Sequence, residues 1–264
     1  MKTGKTRLQV VKIGGNVIDQ PELLKDFLAH FAQLKGAKIL VHGGGKRASL
    51  LAEKVGIPQT MVQGRRITDD ASLEIVTMVY GGLINKQLVA QLQAETCRAI
   101  GVCGADGDLL RARKRPVQGI DFGWVGDILQ VNTPLLDRWL GQGLTPVIAP
   151  LTHDGQGQLL NTNADTIAQK VAQALSTAFQ VELYYFFDKK GVLADPTSTK
   201  SVLPFMDHES YQSLLSAGAI SDGMVPKLEN AFEALQQGVK KVILGAAEQV
   251  ETVFLGQSGT QILL

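Results

Sequence analysis

Short apolar strands alternate with amphipathic helices along this chain of 264 residues, and the alternation is the feature that most restricts its fold. Residues 8–13 predict a buried strand, and residues 21–34 predict a helix because their leucines and phenylalanines recur at helical spacing. The same order repeats in residues 38–41 and 46–55. Such alternation predicts an α/β fold, a three-layer αβα sandwich around a mainly parallel central sheet.

A fresh series of strands and helices begins near residue 180, where residues 181–187 predict a strand rich in aromatic and β-branched side chains. We therefore expect two lobes, an N-terminal lobe of residues 1–179 and a C-terminal lobe of residues 180–264. Within the first lobe, residues 83–99 predict one long helix.

The chain carries almost no net charge, since 26 Lys and Arg oppose 25 Asp and Glu, for a formal charge of +1 at pH 7. This balance provides no broad basic surface for nucleic acid, so an anionic ligand must be held by a local group of donors. No apolar run reaches the roughly 18 residues that a membrane-spanning helix needs. We expect neither a nucleic-acid partner nor a membrane partner.

Cysteine and histidine are too sparse for a metal site or a disulfide framework. The two cysteines, Cys97 and Cys103, fit neither, and the four histidines lack metal-ligand spacing. The first residues lack the apolar core of a signal peptide. These features predict a cytoplasmic protein without a metal site built from its own side chains.

Glycine is in excess, with 28 residues, and two glycine runs directly follow predicted strands. Gly14 and Gly15 follow Lys12, and Gly43 to Gly45 follow His42. Glycine lets backbone N–H groups approach a ligand closely, and N–H groups at the start of a helix bind anions. A lysine at the end of a buried strand is costly unless it meets an anion. The runs therefore predict anion-binding turns, with ordinary turns and a surface lysine as the alternative. We expect His42 to be structural rather than a base.

Two polar segments of the first lobe carry candidate ligand-binding side chains. The paired arginines Arg65 and Arg66 are either a carboxylate clamp or two solvated side chains. Asn161, Asn163 and Asp165 place three polar side chains within five positions, either to fix one polar ligand or to cap a helix. Capping alone accounts for Asn163 or Asp165, but not for all three.

Two segments of the second lobe are either ordinary turns or places that touch a nucleotide. Asp188 ends the aromatic strand and is followed by Gly191, Val192 and Leu193. The other segment opens the last long helix and comprises Asp222, Gly223, Met224 and Lys227.

Five motifs in this order resemble the amino acid kinase family over nearly the whole chain. They are Lys-x-Gly-Gly at Lys12, His-Gly-Gly-Gly at His42, Gly-x-Arg-x-Thr at Gly64, Asn-x-Asn-Ala-Asp at Asn161 and Asp-Gly-Met-x-x-Lys at Asp222. The resemblance is greatest to members that act on N-acetylglutamate, and it implies the amino acid kinase, or carbamate kinase-like, fold. It implies that ATP phosphorylates the γ-carboxylate of N-acetyl-L-glutamate to N-acetyl-L-glutamyl 5-phosphate, the second step of arginine biosynthesis.

The resemblance also implies a role for each candidate residue. Lys12 and Lys227 would act on the transferring phosphoryl group as catalytic residues, and Asp165 would hold both lysines in place. The residues that bind the acylglutamate would be Gly44, Gly45, Arg66, Asn161 and Asn163. ATP, with Mg²⁺ held mainly by its phosphates, would be bound by Lys12, Gly14, Gly15, Asp188, Gly191, Val192, Leu193, Asp222, Gly223, Met224 and Lys227.

For the assembly, the resemblance implies that the N-terminal lobe binds the acylglutamate and forms a homodimer, while the C-terminal lobe binds ATP. Members that arginine inhibits resemble hexamers with an additional N-terminal helix, and only seven residues precede the first predicted strand here. We therefore expect a homodimer that is insensitive to arginine.

The acyl group stays open, because some relatives use N-succinylglutamate and no residue of the sequence decides between acetyl and succinyl. Other acceptors used in the family are alternatives, namely free glutamate, as in glutamate 5-kinase, carbamate or an aspartate. A non-catalytic sensor of a nucleotide or an amino acid is a further alternative, and the presence of Lys12, Lys227 and Asp165 argues against it.

Overall fold

A computed structural model describes residues 4–62, 64–195, 197–198, 201–220 and 224–264. Strands and helices alternate along the chain and the pairings in the main sheet are mostly parallel, which confirms the predicted α/β class. Over these residues, every helix is too short or too polar to cross a membrane.

The strands follow in chain order. They are β1 (Arg7–Ile13), β2 (Ala37–His42), β3 (Met61–Val62), β4 (Arg65–Arg66), β5 (Ala99–Val102), β6 (Leu110–Lys114), β7 (Gly126–Val131), β8 (Thr145–Ile148), β9 (Leu151–His153), β10 (Leu159–Asn161), β11 (Gln180–Phe187), β12 (Phe205–Met206), β13 (Lys241–Ala246) and β14 (Thr260–Ile262).

The α-helices are α1 (Gly15–Ile18), α2 (Pro21–Gln33), α3 (Gly45–Lys54), α4 (Asp70–Val76), α5 (Asn85–Ala94), α6 (Thr133–Gly141), α7 (Ala164–Leu175), α8 (His208–Ser216), α9 (Val225–Gln236) and α10 (Val250–Phe254). A π-helical segment, Thr77–Ile84, joins α4 to α5, and short 3₁₀ turns lie at Asp106–Asp108 and Ala247–Gln249.

The chain divides into two compact units. The first unit comprises the residues up to Lys38 together with Ala168–Leu264, and the second unit is the continuous segment Ile39–Ile167. The predicted lobes were residues 1–179, which would bind the acylglutamate, and residues 180–264, which would bind ATP. This division of the chain and of its ligands stays a prediction.

In the first unit the strand order is β12-β14-β13-β11-β1, with β1, β11 and β13 parallel to one another. Every residue of β1 after Arg7 is buried, and Phe186 of β11 packs edge-on against Phe27 of α2, with 5.0 Å between ring centroids. Lys12 lies opposite Tyr185 in the register. Since parallel strands end at the same edge, the segments that follow β1 and β11 are neighbours.

In the second unit β2, β8 and β5 form a parallel set, in that order. A separate sheet has the order β10-β9-β6-β7, and β3 pairs with β4 in a short antiparallel hairpin. The glycine run follows β2, and the candidate residues Arg66 and Asn161 lie on β4 and β10.

The predicted helix over residues 83–99 is wrong at both ends. Its first two residues belong to the π-helical segment, α5 stops at Ala94, and Ala99 opens β5. Thr96 has φ +59°, a left-handed conformation that no α-helix continues through. The apolar residues at the end of this stretch therefore belong to a strand, which helical spacing alone does not separate from a helix.

Candidate active site

In the first unit, Lys12 is buried near the end of β1, with 6% of its surface exposed. Its Nζ lies 4.0 Å from the point where a Cβ on Gly14 would stand, and the Gly14 N–H donates to the carbonyl of Phe186 at 3.0 Å. Gly15 begins α1 with Gly14 as its N-cap. The ammonium group is thus turned toward the glycine turn, an arrangement that suits a phosphate.

Four of the predicted ATP-binding residues, three from the segment after β11 and one from the start of α9, line one small cavity. Asp188 follows the strand and is exposed. The cavity is lined by Gly191, Val192, Leu193 and Met224, together with Lys189, Ala219 and Ile220.

Gly191 has a packing requirement of its own within this segment. It has φ +159°, and a Cβ there would lie 2.6 Å from Thr260 Oγ1. The N–H of Val192 donates to the same Oγ1 at 2.8 Å, so that N–H is not available to a nucleotide. Val192 can therefore offer a nucleotide mainly side-chain contacts.

Lys227 lies in the first turn of α9 and is half-buried. The helix begins at Val225, and Pro226 occupies a first-turn position where a missing N–H costs least. Met224 is its N-cap. The predicted residues Asp222 and Gly223 lie outside the described residues.

In the second unit, Gly44 and Gly45 open α3. Gly44 is the N-cap, with φ +154° and no side-chain cap bond. A Cβ at Gly44 would lie 3.1 Å from Cδ1 of Tyr80 and still closer to Cδ1 of Ile84. Glycine is therefore required there by both backbone conformation and packing, and the first N–H groups of α3 remain available to an anion.

His42 is fully buried at the end of β2 and is structural, as the sequence analysis expected. Its Nδ1 lies 2.8 Å from the carbonyl of Gly43, so Nδ1 must carry the proton, and Nε2 accepts from the amide of Asn85 at 3.2 Å. Burial lowers the pKa of His42 to about 4, and the nearby Lys86 cation adds to that shift. The imidazole is neutral at pH 7 and has no nitrogen left to act as a base.

Arg66 is buried on β4, with 6% exposed, and is held by three protein acceptors. Its Nη2 donates to the Gly45 carbonyl and to Ser49 Oγ, both at 2.9 Å, and its Nη1 donates to the side chain of Gln59. A guanidinium has five N–H donors, so two remain for other partners, a ligand among them. The solvated alternative for Arg66 is wrong, because burial next to Gly45 places its charge at the start of α3.

Tyr80 is a residue of this region that the sequence analysis missed. It belongs to the π-helical segment, is 5% exposed, and its ring lies against Gly44. Burial raises the pKa of its hydroxyl, and the charge and hydrogen bonding of Arg66 oppose that rise. An irregular helix packed against a glycine turn has no local sequence signature, although π-helical segments are frequent at functional sites.

Asn161, Asn163 and Asp165 have separate roles in the second unit. The Asn161 amide donates to Thr68 Oγ1 at 3.0 Å. Asn163 Oδ1 accepts from the N–H groups of Asp165 and Thr166 at 2.8 and 3.1 Å, so Asn163 caps α7. Asp165 is a buried carboxylate in the first turn of that helix.

A further cavity of the second unit, of about 270 Å³, is lined by Arg65, Arg113, Arg115, Pro116, Gln118, Ile120, Phe122 and Asp127. We call it the arginine cavity. Arg115 is paired with Asp127 through Nε and Nη2, at 3.0 and 2.6 Å from the same oxygen. Within the described part of the chain, Arg65 and Arg113 form no ion pair. Two arginines thus face this cavity with their charge uncompensated.

Residues 7–245 match the model of the amino acid kinase family. The chain belongs to this family. This amino acid kinase is similar to a protein named acetylglutamate kinase from Cytophaga hutchinsonii, with 53% identity over 245 residues that cover 92% of this chain and 93% of that protein. A protein of the same name from Bacteroides fragilis is 48% identical over 258 residues, covering 98% and 97%. One from Methanopyrus kandleri is 39% identical over 241 residues, covering 90% and 94%.

Solved structures share the fold of this amino acid kinase. N-acetylglutamate synthase from Neisseria gonorrhoeae, complexed with coenzyme A and N-acetyl-glutamate, has a TM-score of 0.82 at 23% identity over 100% of this chain. This chain spans only 60% of that synthase chain. Carbamate kinase from Giardia lamblia bound to AMP-PNP has a TM-score of 0.68 at 15% identity and covers 100% of this chain and 99% of that one.

Proposed function

We propose that this amino acid kinase transfers the γ-phosphoryl group of ATP to the γ-carboxylate of N-acetyl-L-glutamate, giving N-acetyl-L-glutamyl 5-phosphate in the second step of arginine biosynthesis. The observation that carries the proposal is the similarity, over nearly the full length, to proteins named acetylglutamate kinase. The buried Arg66 beside the glycine turn supports it, because a guanidinium next to free helix N–H groups suits a carboxylate substrate.

The chemistry that this function requires agrees with the residues present. A glutamate side-chain carboxylate has a pKa of about 4.3 and is ionised at pH 7, so its attack on phosphorus needs no general base. The difficulty is to bring one anion against another, and phosphoryl transfer is mostly positioning and charge stabilisation. We assign the charge stabilisation to Lys12 and Lys227, and we assign the ordering of these lysines to Asp165.

The ligand assignments follow the two units. In the first unit, the ATP phosphates would meet Lys12 and the turn at Gly14 and Gly15, and the nucleoside would lie along Asp188 and the cavity after β11. In the second unit, the acylglutamate would meet the start of α3, Arg66 and Asn161, while Asn163 would contribute by holding that end of α7. Mg²⁺ bound to the ATP phosphates would supply further positive charge.

A coupled assay of ADP release tests this function. N-acetyl-L-glutamate should support turnover, whereas L-glutamate, carbamate and L-aspartate should not, as the similarity to proteins named acetylglutamate kinase implies. Turnover with free glutamate or carbamate, and none with N-acetyl-L-glutamate, would contradict the assignment. ATP binding without turnover on any acid would favour the sensor.

We further propose a cytoplasmic homodimer that arginine does not inhibit. Leu50 on α3 and Met78 and Leu83 on the π-helical segment are 48%, 55% and 48% exposed, and exposed apolar side chains mark candidate interfaces. Cys97 and Cys103 are both free thiols, the usual state in a reducing compartment. Light scattering at micromolar concentration should give twice the chain mass of 28.4 kDa. A mass of one chain, or inhibition by arginine, would contradict this proposal.

The arginine cavity favours a second candidate substrate, N-succinyl-L-glutamate. Arg65 is the chain neighbour of Arg66, and Phe122 of the cavity accepts the Thr68 N–H at 2.9 Å, while Thr68 accepts from Asn161. The cavity therefore adjoins the residues proposed to bind the acylglutamate. A succinyl group ends in a carboxylate, which Arg65 and Arg113 would bind. An acetyl group has no such carboxylate and would leave the charge of these two arginines without a partner.

A comparison of acylglutamates that carry acetyl, succinyl or butyryl groups distinguishes the two candidate substrates. N-butyryl-L-glutamate matches N-succinyl-L-glutamate in chain length but lacks the terminal charge. We expect kcat/KM for the succinyl compound to exceed that for the butyryl compound at least about 5-fold, the scale of one exposed ion pair. Arg113→Gln should remove that preference, whereas Arg138→Gln, on the exposed side of α6, should keep it. Equal use of the succinyl and butyryl compounds by the wild type would rule out the cavity as an acyl site.

A further inference from the structure

The hydroxyl of Tyr80 lies beside the carboxylate-binding end of the second unit. Its oxygen is 3.9 Å from the point where a Cβ on Gly45 would stand, and the Gly45 carbonyl accepts from Arg66 Nη2 at 2.9 Å. The side chain is 5% exposed. Among the described residues, the Tyr80 oxygen is not one of the buried polar atoms without a hydrogen bond, so it stays open to a hydrogen-bonding partner from outside the chain.

Donor and acceptor roles define what that partner is. Arginine only donates hydrogen bonds, so toward Arg66 the Tyr80 oxygen is an acceptor and keeps its own proton to donate. In residues 4–62, 64–195 and the other described ranges, the Tyr80 hydroxyl donates to no protein acceptor. The partner open to this hydroxyl is therefore a hydrogen-bond acceptor on a ligand.

We propose that the Tyr80 hydroxyl donates a hydrogen bond to the α-carboxylate of the acylglutamate, next to Arg66. The inference rests on the proposed function, in which the acylglutamate meets Arg66 and the start of α3. Gln59, Gly45 and Ser49 take three of the five Arg66 donors, and the Tyr80 oxygen is a further acceptor for that guanidinium. The guanidinium alone therefore cannot bond to every lone pair of a carboxylate. Tyr80 supplies a further, uncharged donor and is thereby a specificity-determining residue.

The Tyr80→Phe variant of the full chain tests this role. It removes the hydroxyl and keeps the ring that lies against Gly44. We expect KM for N-acetyl-L-glutamate to rise at least about 10-fold, the scale of a hydrogen bond to a charged group, with kcat and KM for ATP within about 2-fold of wild type. Tyr211→Phe is the matched control, since Tyr211 is also buried and, among the described residues, its hydroxyl has no hydrogen-bond partner.

A second substrate distinguishes carboxylate binding from a general loosening of the site. The α-carboxamide analogue of N-acetyl-L-glutamate keeps the γ-carboxylate that accepts the phosphoryl group. Wild type should prefer the α-carboxylate, and Tyr80→Phe should reduce that preference about 10-fold. A purely structural role would lower kcat/KM equally for both compounds.

The outcomes separate this inference from the proposed function. A wild type that does not phosphorylate N-acetyl-L-glutamate overturns the function and, with it, the role of Tyr80. A wild type that is active, with a Tyr80→Phe variant whose KM stays within about 2-fold, overturns the role of Tyr80 alone. Equal losses for the carboxylate and the carboxamide also overturn it.

Discussion

Acidification from pH 7 to pH 5 should destabilise the chain through His42. The folded-state pKa of this histidine is about 4, against 6.5 for an unperturbed imidazole, chiefly because it is buried. The unfolded chain therefore binds a proton at His42 where the folded chain does not. Stability from this group is present above about pH 6.5 and is lost as pH falls toward the folded pKa.

The two pKa values set the size of the effect. At pH 5 the unfolded imidazole is almost fully protonated and the folded one almost neutral, which lowers the free energy of unfolding by about 2 kcal/mol relative to pH 7. Protonation would also break the geometry described above, because Nε2 accepts from Asn85 and a charged ring has no acceptor.

Urea denaturation at the two pH values measures this loss. Between pH 7 and pH 5, the free energy of unfolding of the wild type should fall by about 2 kcal/mol more than that of His42→Gln, whose side chain cannot titrate. This difference does not depend on how stable the variant is at pH 7. His208→Gln, at an exposed position of α8, should keep the wild-type pH dependence. If wild type and His42→Gln lose the same free energy between pH 7 and pH 5, the reasoning from burial is refuted.

Two further predictions concern the glycine turns and the lysines. Lys12→Ala or Lys227→Ala should lower kcat at least about 100-fold in the ADP-release assay, which is the scale of losing a transition-state charge contact. Lys25→Ala, at an exposed position of α2, should leave kcat unchanged. A near-normal kcat in Lys12→Ala or Lys227→Ala would contradict the role of that lysine. Gly44→Ala should cost about 1–3 kcal/mol in urea denaturation, because its Cβ would meet Ile84, and Ile84→Val should restore part of the loss; an unchanged midpoint would contradict the steric argument.

The fold was predictable because its determinants are local. The buried strands β1, β2 and β11 are continuous apolar runs, and glycine or proline marks the helix boundaries. The π-helical segment was not predictable, because it packs against a turn that is distant in the sequence. Tyr80 and Ile84 pack against Gly44, some 40 positions earlier. The helical spacing of apolar residues does not indicate such a contact.

The candidate site was predictable where chemistry and spacing coincide. Lys12, Gly44 and Arg66 stand in short motifs, and the structure places each at a turn or beside one. Asn163 could be explained by capping alone, and it does cap α7.

The arginine cavity was not predictable from spacing. Arg65 and Arg113 stand nearly 50 positions apart and line one cavity, and the Thr68 N–H donates to the Phe122 carbonyl in the same region. A long-range backbone hydrogen bond of this kind leaves no local pattern in the sequence.

The order of the chain also bears on its synthesis. Arg7 of β1 pairs with Glu182 of β11, 175 positions later, and β1 is apolar apart from its polar positions at Arg7, Gln9 and Lys12. The apolar strand β1 therefore leaves the ribosome long before β11, with which it pairs, has been synthesised. The second unit, Ile39–Ile167, is one uninterrupted stretch that can fold as it emerges. We expect the nascent chain to depend on chaperones during that interval, and slow translation to expose β1 for longer.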